Sequence, residues 1–200
     1  MTLKTTFLTA AALCAYSIVA TAQSTTPAEP AEPATQSELP AAQTAAPAPS
    51  VCQTDENFRA FDFWVGDWDV TTNNGGQFAG TNSITVIEGG CALLETWKGK
   101  GGSTGISTNH YNPNTGKWRQ LWLSAGAYSI DYEGGIIGNS MAMEGLIYYY
   151  GNDKTFPFRG TWTPRDDGTV RQHFEQYNPE KQEWATWFDG IYTRKARLVD

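Results

Sequence analysis

Three polar side chains sit at matching places on otherwise apolar faces of this chain. Leu93, Glu95 and Trp97 share one face of an extended segment, and Trp118, Gln120 and Trp122 share a second. Val170, Gln172 and Phe174 share a third. In a barrel all three faces would point inward. Aromatic walls with a few placed polar groups are the usual make-up of a small-molecule cavity. Trp97, Trp118 and Trp122 would then form walls, and Glu95, Gln120 and Gln172 would orient one polar end of a ligand. The same residues could instead satisfy one another in a filled core, as in many small barrels. A buried Glu95 is expected to resist ionisation unless paired, with Arg194 or Arg159 as its partner. Open to a pocket mouth, it would suit a general base in an isomerase or cyclase, with a nearby Tyr or Gln holding an enolate-like oxygen.

Other chemistry is weakly marked. Trp162 and Trp187 have less clear facing; exposed on one face of a β-sandwich they would make a stacking platform for carbohydrate. Met141 and Met143 alternate on one segment and read as core filler rather than metal ligands. Tyr148-Tyr149-Tyr150 points rings to both faces. The stretch Gly99 to Gly105 is rich in glycine but lacks the Gly-Lys-Ser/Thr ending and following helix of a phosphate loop, so it reads as a rim loop. His-Glu-x-x-His and Cys-x-x-Cys are absent, and nothing marks a triad. No catalytic residue, metal ligand or cofactor is assigned.

The elements that would position these groups are strands. Thr54 or Asp55 can cap a short helix, with Phe58 and Phe61 on one face. After Gly66 the pattern changes to period two, with Trp68 and Val70 on one side and Asp67, Asp69 and Thr71 on the other. Gly and Asn/Asp turn signals then recur at all-β spacing. Strands are expected at 68–72, 78–88, 91–98, 105–111, 117–124, 128–133, 141–150, 156–163, 170–177 and 184–194. Asp166-Asp167-Gly168 is a strong hairpin signal. Short links imply antiparallel neighbours in a meander, and closure removes its exposed edges. The fold class is therefore all-β, an antiparallel up-and-down barrel of about ten strands with a short N-terminal helix. Tyr111-Asn112-Pro113 followed by Trp118 is echoed by Tyr177-Asn178-Pro179 followed by Trp184, which suggests two equivalent hairpins.

The ends and the composition bound the setting. Residues 1–22 read as a secretory signal: Lys4 is followed by a mostly apolar run from Phe7 to Ala20 and a small-x-small site, Ala20-Thr21-Ala22. Cleavage is expected after Ala22, an uncleaved anchor being the alternative. Cys14 lies too deep in that run for a lipoprotein cysteine. Residues 23–50, rich in Ala, Pro, Thr and Glu, cannot bury enough surface to order and read as a tether. Residues 51–200 form one domain that holds all eight tryptophans. The chain carries 14 Lys and Arg against 21 Asp and Glu, a net charge of −7. That balance argues against nucleic acid and against attraction to an anionic membrane. An outer-membrane barrel would need aliphatic outer faces, which Ser107, Asn109, Arg171, His173 and Glu175 interrupt. Cys52 and Cys91 are expected to form a disulfide in an oxidising compartment, periplasmic or secreted, two buried free thiols being the alternative. The partner expected is a small molecule, with no membrane insertion of the mature domain; no oligomeric state is assigned.

Gly66-Asp67-Trp68 after a helical turn, with Arg194 near the end of the last strand, resembles the opening of a lipocalin-type (calycin) barrel. There an Arg on the last strand packs against the Trp, so Gly66, Trp68 and Arg194 are implied to be structural. The domain more closely resembles an uncharacterised bacterial family of exported domains that open with Phe-Asp-Phe-Trp-x-Gly-x-Trp-x-Val, here Phe61 to Val70. Its Gly-Cys-x-Leu-x-Glu-x-Trp stretch is matched by Gly90 to Trp97, with later matches at Tyr111-Asn112-Pro113, Gly116 to Gln120 and Asp167 to Gln172. The resemblance covers about residues 52–194, implies a lipocalin-like barrel and carries no activity. Nitrobindin-like barrels of the same superfamily hold haem through a histidine. Here His110 sits beside the Asn-Pro turn and His173 alternates with Arg171 and Glu175 on a solvated face, so no haem is expected.

Overall fold

A computed structural model describes residues 48–196. The expected signal segment and residues 23–47 of the expected tether lie outside the described residues. Ten antiparallel strands close into one barrel. They are β1 (Gly66–Thr72), β2 (Phe78–Ile87), β3 (Ala92–Gly99), β4 (Thr104–Asn112), β5 (Lys117–Ser124), β6 (Tyr128–Ile137), β7 (Ser140–Tyr149), β8 (Thr155–Pro164), β9 (Val170–Asn178) and β10 (Glu183–Arg194). Each strand pairs with its sequence neighbours, and β1 pairs with β10 to close the wall. A meander of this kind puts the start of β1, the end of β10 and the β4–β5 turn at one end, called the base. The β3–β4, β5–β6 and β9–β10 turns lie at the other end, the mouth.

The base is sealed by the segment before β1. Two one-turn helices, α1 (Val51–Thr54) and α2 (Glu56–Arg59), precede a 3-10 turn at Asp62–Trp64. Asp55 caps α2 by accepting from the Asn57 backbone N–H at 2.8 Å, which satisfies one of the free donors at a helix start. The 3-10 turn drives Phe61 and Trp64 into the barrel, both fully buried. Their rings stack at 4.9 Å, and Phe61 also meets Trp162 at 5.3 Å and Trp118 at 5.7 Å. Burying each such ring contributes roughly 2–3 kcal/mol. The Trp68 indole donates to the Trp64 carbonyl at 2.9 Å. The Arg194 guanidinium lies 4.3 Å over the Trp68 ring and donates to the Val65 carbonyl at 3.0 Å. Gly66 has φ +142°, and a Cβ there would come within 2.5 Å of Arg194 Nη1. Gly66, Trp68 and Arg194 thus form one structural latch. Cys52 and Cys91 are bridged, tying α1 to the start of β3. Arg59 spans the same junction, donating to the Cys52 and Gly90 carbonyls and pairing with Asp62. A formed disulfide fits an oxidising setting, and among the described residues no helix is long and apolar enough to cross a membrane.

The outer wall is laced with cross-strand ion pairs, among them Arg119–Asp131, Arg159–Glu175 and Arg171–Asp189. Ile106, Leu121 and Leu123 are exposed between them. The two Asn-Pro hairpins are not equivalent. Tyr111 faces Trp118 across β4 and β5 at the base, and Trp118 is buried inside. Tyr177 faces Trp184 across β9 and β10 at the mouth, with the Arg159 guanidinium 4.3 Å over the Trp184 ring. The turn chemistry repeats while the position does not.

Candidate functional site

Inside, the barrel is filled at the base and open toward the mouth. Between the two runs a belt of hydrogen-bonded polar side chains. On one side Tyr132 donates to Gln120, Gln120 to Asn109, Asn109 to Ser107 at 2.9 Å, and Ser107 to Glu95 Oε2 at 2.6 Å. On the other, Asn82 donates to Glu95 Oε1 at 2.6 Å and to the Tyr192 hydroxyl at 3.1 Å, and Tyr192 donates to Gln172 at 2.6 Å. The belt crosses β6, β5, β4, β3, β2, β10 and β9. All its members are nearly excluded from solvent, so their mutual bonding offsets the cost of burial. From Tyr132 to Glu95 every donor points the same way, toward the carboxylate. Chains so aligned polarise one another and stabilise charge at their end.

Glu95 carries the only acid of the belt, and no cationic side chain touches it. Burial pushes its carboxyl up from 4.5 to about 7, against the pull of the Ser107 and Asn82 hydrogen bonds. The expected arginine partners are elsewhere. Arg194 holds Trp68 and the Val65 carbonyl, and Arg159 pairs with Glu175 on the outer wall. Burial, then the Glu95 charge, holds the Tyr132 and Tyr192 phenols well above their usual range.

Above the belt lies a cavity of about 150 Å³. Glu95, Gln120, Gln172 and Tyr192 make its floor, Trp97, Trp122, Phe174 and Phe188 its walls, and Tyr128 and Trp187 its rim, with Ile130 between. Four of the ring positions depend on inward-facing glycines. A Cβ on Gly80 would strike the Trp97 ring, one on Gly105 the Trp122 ring, one on Gly160 the Phe174 ring and one on Gly190 the Phe188 ring. Each ring occupies the space that its glycine leaves empty, so it lies toward the wall and the lumen stays open. Trp187 reaches the rim because the β9–β10 register shifts between Thr186 and Phe188, the effect of a bulge that re-aims a side chain. Its indole donates to the Tyr149 hydroxyl at 3.1 Å, which donates to Gln176 at 2.6 Å. Its ring meets Tyr128 at 5.3 Å and Phe158 at 5.5 Å. Burial pushes the Tyr128 phenol up to about 12. The Trp122 N–H lies close enough to lower that slightly, yet makes no hydrogen bond of ordinary geometry.

Five of the six expected ligand-contacting residues line this cavity: Glu95, Trp97, Gln120, Trp122 and Gln172. Trp118 does not. It faces inward as its phase requires, but at the base, where its indole donates to the Asn57 carbonyl at 3.0 Å and packs on Phe61. Of the two rings that a carbohydrate platform would need, Trp162 is fully buried in the base plug and Trp187 is 37% exposed, and the domain is a closed barrel rather than a sandwich. Ser107 and Asn109 face the lumen rather than the outer wall, so they say nothing about a lipid face. The belt members Asn82, Ser107, Asn109, Tyr132 and Tyr192 are not singled out by the sequence, nor are Tyr128 at the rim and Phe188 in the wall, whereas Phe174 lies on an expected inward face. Both histidines lie outside: His110 faces Arg119 across β4 and β5, and His173 lies 3.1 Å from the Thr186 hydroxyl. Gly101-Gly102-Ser103-Thr104-Gly105 has the Gly-x-Ser-x-Gly spacing of a nucleophile elbow. It joins two antiparallel strands rather than a strand and a helix, and no histidine accompanies it. No protein-family model matches the sequence, and a search of curated proteins finds no match.

Proposed function

We propose that the barrel binds one small, largely apolar or aromatic molecule between its polar belt and its mouth. The observation that carries this reading is the aromatic-walled cavity over Glu95, Gln120 and Gln172. Its 150 Å³ is about the size of an engineered protein cavity that takes benzene. The enclosed part of the ligand is therefore about one ring, with any larger remainder projecting past Trp187. A whole haem would not fit inside it, and a long acyl chain would be enclosed only in part. The Gly66–Trp68–Arg194 latch supports assignment to the exported lipocalin-like family that the sequence resembles. The Cys52–Cys91 bridge supports a periplasmic or secreted location. Native mass spectrometry of the purified protein, beside a denatured control, tests the binding reading. A retained small-molecule adduct, or Trp fluorescence that saturates with toluene, is the expected result. The absence of both would overturn it.

A second reading is favoured by one observation: Glu95 lines the cavity, has no arginine partner and has its carboxyl near 7. A group so tuned suits proton transfer at neutral pH, with Tyr192 or Gln172 beside it to bond an enolate-like oxygen. Deuterium exchange into a single-ring ketone, followed by NMR, checks it. Exchange no faster than with the Glu95→Gln variant would exclude a general base.

A further inference from the structure

The floor of the cavity is rich in acceptors. Each Glu95 oxygen accepts one hydrogen bond, half of what a carboxylate oxygen can take. Behind it, outside the lining itself, the buried Asn82 Oδ1 has no donor. Gln120 and Gln172 each present a carbonyl oxygen that accepts from a tyrosine. No Lys, Arg or His lines the cavity. The groups that face Glu95 are Asn82 from β2, Ser107 from β4 and Tyr192 from β10, with the phenols of Tyr128 and Tyr132 on β6 as the remaining titratable neighbours. None can supply positive charge. Around this floor stand indole and phenyl rings, whose faces attract cations. An ammonium group answers every one of these features: three donors for unfilled acceptors, one positive charge for an unpaired carboxylate, and a carbon body for aromatic walls.

From this complementarity we infer that the preferred ligand is a small organic amine bound as its ammonium form, with the cation on Glu95 and its carbon frame against Trp97 and Trp122. The inference rests on the cavity being a ligand site. An ionised Glu95 is the form that binds. Below its pKa of about 7 the carboxyl is neutral, and a cation must displace a proton to enter. Affinity for an amine should then rise roughly 100-fold from about pH 5 to about pH 8, whereas a neutral isostere should show no such slope.

The test compares benzylamine, benzyl alcohol and toluene by isothermal titration calorimetry with the full chain at both pH values. Benzylamine stays protonated throughout that range. The expected result is an approximately 100-fold tightening of benzylamine with pH, flat binding of benzyl alcohol, and loss of the amine preference in Glu95→Gln. Should that variant not fold, the wild-type pH series decides alone. Equal, pH-independent binding of benzylamine and benzyl alcohol would overturn the amine inference while leaving an apolar ligand site. Failure of all three compounds to bind would overturn the ligand site itself.

Discussion

Raising the pH should weaken this fold through one residue. Glu95 is buried without a cation, and its carboxyl is pushed up from 4.5 to about 7. Between those values the folded chain keeps a proton that the unfolded chain releases, so the folded state binds more protons and stability falls as pH rises. The contribution is complete below the unfolded pKa and is lost as the pH passes through the folded one. At ~1.4 kcal/mol per pKa unit, the whole shift is worth roughly 3 kcal/mol, most of which falls between about pH 5 and about pH 8. That is a large part of the roughly 5–15 kcal/mol of a typical domain. The outer carboxylates Asp131, Glu175 and Asp189 are held low, first by hydrogen bonds from Arg119, Arg159 and Arg171. Their sign is opposite: they stabilise above the unfolded carboxylate range and lose that effect as pH falls, outside this window. Urea unfolding followed by Trp fluorescence, in wild type and Glu95→Gln at both pH values, isolates the effect. The variant cannot ionise at this position, and every other titrating group cancels in the difference. Wild type should lose roughly 2–3 kcal/mol relative to the variant as pH rises. A difference constant within about 0.5 kcal/mol, near the precision of such extrapolations, would show Glu95 solvated or paired and refute the reasoning.

Replacing both Cys52 and Cys91 with Ser opens a link between residues 39 apart; unfolding stability should fall by roughly 3–4 kcal/mol on the chain-entropy account, read from the denaturant midpoint. Gly66→Ala puts a Cβ into the Arg194 guanidinium at a left-handed φ, and should cost roughly 1–3 kcal/mol in the same measurement; an unchanged midpoint would mean the latch contributes nothing. Trp187→Ala removes the rim ring and its bond to Tyr149 without touching the belt. It should weaken a single-ring probe by about 1 kcal/mol, expressed as faster dissociation in stopped-flow fluorescence, while leaving the pH dependence intact.

The strand plan was legible because turn residues and alternation both survive in sequence. All ten strands fall within a few residues of their expected bounds, β5 at the same ones. Phase correctly gave the inward faces of β3, β5 and β9. It failed on β4, where Ser107 and Asn109 are expected on the outer face. The register instead points Gly105, Ser107 and Asn109 inward and leaves Ile106 exposed. The interior there is polar because Glu95 needs donors, and one strand's pattern cannot show what its neighbour needs. Trp118 marks a second limit: phase gives the face of a residue but not its height along the barrel. Trp187 marks a third, since a bulge breaks the alternation on which facing is read. The Gly66–Trp68–Arg194 latch was readable only through the resemblance to lipocalin-type barrels, in which an arginine on the last strand packs against that tryptophan.

The pairing of Gly80, Gly105, Gly160 and Gly190 with the four wall rings has an evolutionary corollary. The size of the cavity is set in part by residues that do not line it. A methyl group on Gly160 or Gly190 would meet the Phe174 or Phe188 ring first and push it toward the lumen, whereas on Gly80 or Gly105 it would also strike the Lys98 or Leu123 carbonyl and strain the backbone. Changes at these positions would grade the chamber toward a filled core, and at Gly160 the added carbon also comes within 3.1 Å of the Tyr132 ring, so that end of the belt would have to move with it. Related barrels could therefore diverge in what they admit through backbone-facing substitutions that a comparison of contact residues alone would miss.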